Sequence, residues 1–326
     1  MRAMLCHAWG DPETLRLEEA PEPQPKAGEL VIGVRASGVN YADAIMLRGQ
    51  YQTRPPFPFG PGLEAAGIVL RCGAGVSRFR PGDPVMAMLD WGGFAEQAVA
   101  RETDAFPVPE GMDFDTAGSF LVAYVSSHVA LRWQARLEAG ETLLVLGAAG
   151  GVGLTAVEIG KAMGARVIAA ASSAEKLAVA RAHGADEAID YSREDLKARV
   201  MALTGDEGVD VVFDPVGGAL FDAALSSLGW GGRILLIGFV GGVPQIPANR
   251  LLVKHRSAMG SSLRFFRHRA TGKLQRTMEE LAGWYRDGRL KPLVSDRFPL
   301  ERAADAIRVL TGRKATGKVV VTVDGT

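Results

Sequence analysis

The chain is short of what several function classes require. Only two of its 326 residues are cysteines, Cys6 and Cys72, so neither a disulfide framework nor a cysteine-rich zinc site can be built. Each reads as a small apolar residue or an inert thiol. Lys and Arg total 37 and so do Asp and Glu, a balance without the basic excess of a dedicated nucleic-acid binder. No nucleic-acid partner is expected. No run approaches the ~20 apolar residues that cross a bilayer, and the N-terminal MRAMLCHAWGDPETLRL has no apolar core of a secretory signal. The expectation is a cytoplasmic protein without a membrane partner. His7, His128, His183, His255 and His268 are scattered, none at metal-ligand spacing or in a hydrolase motif, and all five are assigned to structure. No metal site is expected. What remains is an ordinary globular composition, 47% apolar and 23% charged, over a length that suits two domains.

What is present centres on residues 143 to 160, LLVLGAAGGVGLTAVEIG. A short apolar run ends in a glycine cluster and resumes at helical spacing, as a buried parallel strand followed by a helix would. The glycine spacing allows a tight turn, close backbone approach to a ligand and a helix seated against the strand. Such a turn aims free N–H groups and a helix N-terminus at one point, the makings of a pyrophosphate cradle over Gly147, Ala148, Ala149, Gly150, Gly151, Val152 and Gly153. Ala148 stands where the G-x-G-x-x-G pattern has its first glycine, so the turn alone also fits any α/β domain.

The context decides. ARVIAAA, EAIDY, VDVVFDPVG and GRILLIGF read as strands, separated by the helical stretches SSAEKLAVARAHGA, EDLKARVMAL and GALFDAALSSL. That alternation specifies a doubly wound parallel sheet with ligands beyond the strands' carboxyl ends. Gly217, Gly238 and Phe239 fall at such ends. An NAD-preferring site puts Asp or Glu about 20 residues past the glycine loop. Here that place reads Ala170, Ala171, Ser172, Ser173, with Lys176 one turn on, so nothing repels a 2′-phosphate and NADPH is the expected cofactor.

The first third has another texture. Pro and Gly punctuate short apolar stretches, LVIGVRA, AGIVL, PVMAM and GGFAEQAVA, whose sum is a partly open all-β barrel. YADAIMLRG should form a short helix stopped by Gly49, with Asn40 as its cap. Helical spacing sets in near Gly118 and runs through AGSFLVAYVSSHVALRWQA. Near the end, FFRHRATGK reads as a solvated helix start with its phenylalanines buried. LQRTMEELAGWYRDGRL reads as an amphipathic helix stopped by Gly288, and ERAADAIRVLTGRKATGKVVVTV as a helix and a closing strand.

In order along the chain come GVN at Gly38 to Asn40, P-x-x-x-G-x-E-x-x-G at Pro58 to Gly67, GV-x-x-F-x-PGD at Gly75 to Asp83 and G-x-x-E at Gly93 to Glu96. With the glycine turn, this series resembles the medium-chain dehydrogenase/reductase superfamily over nearly the whole chain. The resemblance implies an α/β protein: a GroES-like partly open β-barrel catalytic domain, 1–122 and 266–326, and a doubly wound parallel-sheet (Rossmann) NADPH-binding domain, 123–265. It also implies that zinc members carry metal ligands where this chain has Asn40 and Leu63. Leucine has no donor, and an amide is a poor zinc ligand. The chain is thus similar to the zinc-free quinone oxidoreductase branch, and Glu64 is left to accept hydrogen bonds from backbone or an arginine such as Arg48.

The same resemblance places Tyr51 beside the substrate, Ser126 or Ser127 near the nicotinamide, and Tyr191 on the 2′-phosphate. Asn40, whose amide can meet a carbonyl or the nicotinamide ribose, joins Tyr51 and Ser126 as candidates to hold the acceptor. The function implied is hydride transfer from NADPH to a small electrophilic quinone, enone or alkenal. The alternatives are an enoyl-thioester reductase with Tyr41 or Tyr51 as proton donor, and a non-catalytic NADPH-linked RNA-binding or regulatory protein. Relatives commonly form homodimers through the last strand of the nucleotide sheet, for which GRILLIGFVGG offers an apolar edge.

Overall fold

The computed structural model describes residues 1–323, which divide into two compact units. The first comprises Met1–Val122 and the segment from Pro292 onward; the second is Ala123–Lys291. The second boundary differs from the one expected after residue 265. Residues 266–291 stay with the nucleotide unit because their bonds run there. Trp133 Nε1 donates to Thr277 Oγ1 at 3.0 Å, His128 Nε2 lies 2.8 Å from Glu280, and Lys291 N–H donates to Glu158 at 3.1 Å. None of these partners is near in sequence, so no local pattern announces them.

In the first unit the strands are β1 (Arg2–Leu5), β2 (Arg16–Glu19), β3 (Glu29–Val39), β4 (Glu64–Cys72), β5 (Pro84–Met88), β6 (Gln97–Arg101) and β7 (Ala105–Pro107). The second unit supplies β8 (Thr142–Leu146), β9 (Arg166–Ala171), β10 (Glu187–Asp190), β11 (Val209–Asp214), β12 (Leu228–Leu236) and β13 (Ser257–Gly260). The chain then returns to the first unit with β14 (Val294–Pro299) and β15 (Lys318–Thr322).

The first unit is the expected GroES-like sheet, in the order β14-β15-β3-β4-β5-β7 with β6 also on β3. Its pairs are antiparallel except β14 with β15. β3 is the axis of this sheet, since β4, β6 and β15 all bond to it, and the β15 register sets Val39 opposite Val319. Leu30, Ile32, Val34 and Val39 of β3 pack with Val69, Val85, Val319 and Val321 in one apolar core. The helix Tyr41–Leu47 follows β3 directly, and Gly49 ends it at φ 68°.

The second unit holds six parallel strands in the order β10-β9-β8-β11-β12-β13. Leu143 to Leu146 of β8 are fully buried, as the run of apolar residues requires of a central strand covered on both faces. β12, the GRILLIGF strand, lies between β11 and β13 and is not an edge; the outermost strand on that side is β13. The helical stretch expected from about Gly118 is also broken: a separate short helix, Phe114–Gly118, ends there, and the chain goes on as Leu121–His128 and a π-helical run Val129–Ala135, ended by Arg136 at φ 52°. In the helix Leu263–Arg269 the expected burial is reversed, with Phe265 exposed and Arg267 buried. Among the described residues no helix is long and apolar enough to cross a membrane.

The helix Gly151–Ala162 behind the glycine turn is anchored by one buried acid. Glu158, 2% exposed, takes the Tyr124 hydroxyl at 2.5 Å and the His183 ring at 2.5 Å besides the Lys291 N–H. Glu158→Leu removes the acceptor that all three share. It should lower stability by about 3 kcal/mol in urea unfolding, as loss of a buried charged acceptor does. A change under about 1 kcal/mol would mean that the helix is held by apolar packing alone.

Candidate active site

The glycine turn is built by steric exclusion. β8 ends at Leu146, and Gly147 takes φ +58°, a left-handed conformation that suits glycine. Its carbonyl receives the Gly150 N–H at 2.9 Å, while Ala148 N–H donates to Ala170 of β9 at 3.1 Å. Gly150 caps the helix Gly151–Ala162 from an extended conformation. A Cβ on Gly153 would lie 2.1 Å from the Gly147 carbonyl oxygen, so only glycine lets the helix sit this close. Ala148 and Ala149 are buried and outside the left-handed region, which is why an alanine is harmless where the motif has a glycine. The first-turn N–H groups of Gly151, Val152 and Gly153 have no acceptor within the helix and sit at its positive end, where an anion is favoured.

The neighbouring strand ends complete the edge. Ser172 and Ser173 follow β9, and Ser173 Oγ caps the next helix by accepting Lys176 N–H at 3.4 Å. Lys176 Nζ donates to Ser172 Oγ at 3.5 Å, and Tyr191 N–H donates to Ala171 at 3.1 Å. The fold therefore gathers Ser172, Ser173, Lys176 and Tyr191 at the ends of two adjacent strands. It adds Arg193, which the sequence reading missed, with an exposed guanidinium 3.8 Å from Asp190. Glu175 is exposed, and hydrogen bonds from its own N–H and Ser173, with Arg193 near, hold its carboxyl below the usual range.

Beyond β11, Asp214 shapes the facing loop. Its Oδ1 accepts Val216 N–H and Gly217 N–H, both at 2.8 Å, from a position 1% exposed, and burial pushes its carboxyl up. Gly217 takes φ +64°; a Cβ there would meet the Gly242 oxygen at 2.5 Å and the Phe239 ring at 3.4 Å. Gly238, Phe239 and Gly217 thus belong to two loops packed on each other, with Phe239 partly exposed. Asp214 had no local signal beyond ending an apolar strand.

In the first unit the polar candidates form a buried cluster. Asn40 Oδ1 accepts from Lys318 Nζ at 2.7 Å, and Asn40 Nδ2 donates to Glu64 Oε1 at 3.0 Å and to the Gly38 carbonyl at 3.2 Å. Lys318 Nζ also donates to Glu64 Oε1 at 3.0 Å and to the Val39 carbonyl at 3.2 Å. Glu64 Oε2 takes the Val122 N–H at 2.9 Å. The cation beside Glu64 is thus Lys318; Arg48, the expected partner, pairs with Asp11. Asn40 caps the helix Tyr41–Leu47, and the Asp43 carboxylate closes on the Asn40 and Gly62 N–H groups at 2.7 and 2.9 Å. Tyr51 is half-buried and packs on the barrel core. In the second unit Ser127 is fully buried, bonded to Val152 and Thr155, whereas Ser126 is half-buried.

Comparison with known proteins matches this geometry to a family. The model described as "Alcohol dehydrogenase GroES-like domain" matches residues 26–110, and "Zinc-binding dehydrogenase" matches 151–281. "Quinone oxidoreductase-like protein 2" of Rattus norvegicus is 37% identical over 322 residues, covering 98% of this chain and 91% of that protein. The chain belongs to the medium-chain dehydrogenase/reductase superfamily, in its quinone oxidoreductase branch. Among solved members of the branch, the Escherichia coli quinone oxidoreductase complexed with NADPH superposes with TM-score 0.93 at 28% identity, over 99% of this chain and 100% of that one. The quinone oxidoreductase of Thermus thermophilus, also solved in complex with NADPH, gives 0.87 at 35% identity over 99% and 100%.

The description of the model matched over residues 151–281 carries zinc, but these residues do not fit one. Leu63 offers no donor, and the amide of Asn40 and the carboxylate of Glu64 are bonded to the Lys318 ammonium, beside which a second cation would be repelled. Among the described residues no group of three or more His, Cys, Asp or Glu is placed to hold a metal.

Burial pushes the Asp43 carboxyl up to about 7, against the pull of two backbone N–H groups and Lys318. The unfolded chain titrates this group in the ordinary aspartate range, so the folded chain holds its proton longer. The contribution of Asp43 to stability is therefore full below about pH 4 and lost as pH rises toward about 7. Asp43→Asn should flatten the fall in urea midpoint across that window. Equal slopes in the two proteins would assign the pH dependence elsewhere.

Proposed function

We propose that this chain is an NADPH-dependent reductase of quinones and related enones or alkenals. The supporting observation is the β9 end: residues 170–173 carry no carboxylate, and Ser172, Ser173, Lys176 and Tyr191 collect beside the glycine turn, while the acids that come near, Glu175 and Asp190, have Ser173 and Arg193 beside them. An NAD-type ribose would want an acid at that place, whereas a 2′-phosphate wants donors and positive charge. When bound, NADPH supplies the hydride. The chain's residues do the holding. Gly147, Ala148, Ala149, Gly150, Gly151, Val152 and Gly153 present backbone to the pyrophosphate, the β9 and β10 residues hold the 2′-phosphate with Arg193 as an added cation, and Gly217, Gly238 and Phe239 line the remainder.

Tyr51 and Ser126 bring hydroxyls, and are proposed to orient the acceptor, with Asn40 among the site residues. Conjugated acceptors spread the incoming charge over their own π system, so orientation and exclusion of water suffice without a Lewis acid. A cytoplasmic setting belongs to the same proposal.

A homodimer is proposed through the sheet edge at β13. Trp230 of β12, and Leu252 and Val253 of the helix Ala248–Val253 that leads into β13, are each more than three-quarters exposed. Such a set of large apolar side chains beside an open strand favours a second copy. Light scattering should give twice the mass of one chain, and a monomer at micromolar concentration would overturn the assignment.

The enzymatic reading is tested by NADPH oxidation against a panel of small quinones and enones. Turnover should favour NADPH over NADH, and Lys176→Ala should raise the KM for NADPH roughly tenfold while leaving that for NADH nearly unchanged, the loss of one charge-assisted bond to phosphate. No oxidation of NADPH with any acceptor would refute the proposal.

A further inference from the structure

We infer that the outward face running from Phe265 to Arg276 is a docking surface for an anionic lipid bilayer. It lies wholly within the second unit and uses none of the residues assigned above to cofactor or acceptor.

The distribution of charge carries it. The chain as a whole is balanced, yet from residue 223 to residue 278 it has no Asp or Glu, against nine Lys and Arg. The fold uses several of these cations internally. Arg233 pairs with Glu141 and Arg250 with Asp222, Arg256 turns to the main-chain oxygens of Ser226, Leu228 and Gly229, and Arg267 is buried. Arg269, Lys273 and Arg276 are exposed, and none of them has a carboxylate partner among the described residues. The next acids on the helix Thr271–Arg286 are Glu279, exposed, and Glu280, which already holds His128 and Arg132 at 2.8 and 3.4 Å.

Two of the cations are placed without being neutralised. Lys273 Nζ lies 5.0 Å and the Arg276 guanidinium 5.2 Å from the centre of the Trp133 ring, which its own bond to Thr277 Oγ1 holds in place. An aromatic face attracts a cation and leaves its charge intact, so both stay available to an anion. Arg269 stands one turn ahead, since the Lys273 N–H donates to the Ala270 carbonyl at 2.9 Å. One turn before that, Phe265 shares the outward side of the helix Leu263–Arg269 with Arg269 and is 52% exposed. The phenylalanine is thus turned out to water where the sequence expectation had it buried.

An apolar ring set among unpaired cations matches an anionic bilayer, which offers headgroup charge to the cations and acyl chains to the ring. A nucleic acid fits less well. Single strands bind by stacking bases on open aromatic faces, and the Trp133 ring is taken by the patch's own cations. Docking of this kind departs from the sequence expectation of no membrane partner, which rested on the lack of a spanning run and bears only on crossing a bilayer. Quinones with apolar tails dissolve in bilayers, so docking brings the chain to such acceptors; that consequence, unlike the docking, rests on the reductase reading.

The test is co-sedimentation of the full chain with vesicles of phosphatidylcholine alone and of phosphatidylcholine with about 30% phosphatidylserine, at about 0.05 M and about 0.5 M salt. The chain should bind the charged vesicles, lose about tenfold or more of that affinity at high salt, and leave the neutral vesicles unbound. Arg269→Ala should weaken binding about fivefold, Phe265→Ala about tenfold, and Lys273→Ala with Arg276→Ala together roughly 25-fold. The double variant bares Trp133, so if it is insoluble, Arg269→Ala and Phe265→Ala, which leave that ring covered, decide. No binding to the charged vesicles overturns the inference, as does equal binding to the neutral ones, or binding that the Arg269 and Phe265 variants leave unchanged. A single-stranded RNA oligonucleotide bound more tightly than the charged vesicles, and weakened by the same variants, also overturns it. Turnover is not read, so a failure to dock leaves the reductase reading standing, and a chain that docks without oxidising NADPH refutes that reading alone.

Discussion

One buried ammonium ties the first unit together. Lys318 opens β15, and its contacts with Asn40, Glu64 and Val39 join the closing strand to the end of β3 and the start of β4. Alone, that charge in an apolar core would be unfavourable by several kcal/mol; it is tolerated because every proton has an acceptor and one acceptor is anionic. The arrangement in turn needs β15 to pair with β3 in a single register, Val319 opposite Val39, since a slip of one residue would turn Lys318 to the other face. Strand register and the buried polar cluster here have one cause.

The nucleotide unit depends on a different constraint, the absence of side chains where backbones meet. At Gly153 and Gly217 a single methyl would collide with a carbonyl oxygen, at 2.1 and 2.5 Å. These contacts bring the turns after β8 and β11 to the same edge of the sheet as the serines after β9. The chemistry open to such an edge is anion binding, because helix starts and free N–H groups are what it presents. The residues in the first unit do not suit a zinc ion: beside Asn40 and Glu64 the chain has put a cation of its own, Lys318.

Much of this was legible in the sequence, for reasons of range. Strand–helix alternation is a local period, so the parallel sheet, its glycine turn and the acid-free strand end at Ser172 and Ser173 could be read from windows of about 20 residues. What failed to show was the pairing of distant segments. GRILLIGF looked like an edge because it is apolar, but β13 covers it. Residues 266–291 looked like part of the returning tail, but Thr277, Glu280 and Lys291 bond to the nucleotide unit. Phe265 and Arg267 exchanged their expected burial, because a seven-residue helix carries too little periodicity to say which face is covered.

The sequence by itself therefore determined the two architectures, the glycine turn between strand and helix and the lack of a donor at Leu63, all of which are properties of residue type at short spacing. Only the tertiary structure decided which cation meets Asn40 and Glu64, and it is Lys318. Asn40, Glu64 and Lys318 are each ordinary in their own segments. Their meaning comes from a hydrogen-bond triangle closed across 278 residues of chain, and no periodicity records a contact of that kind.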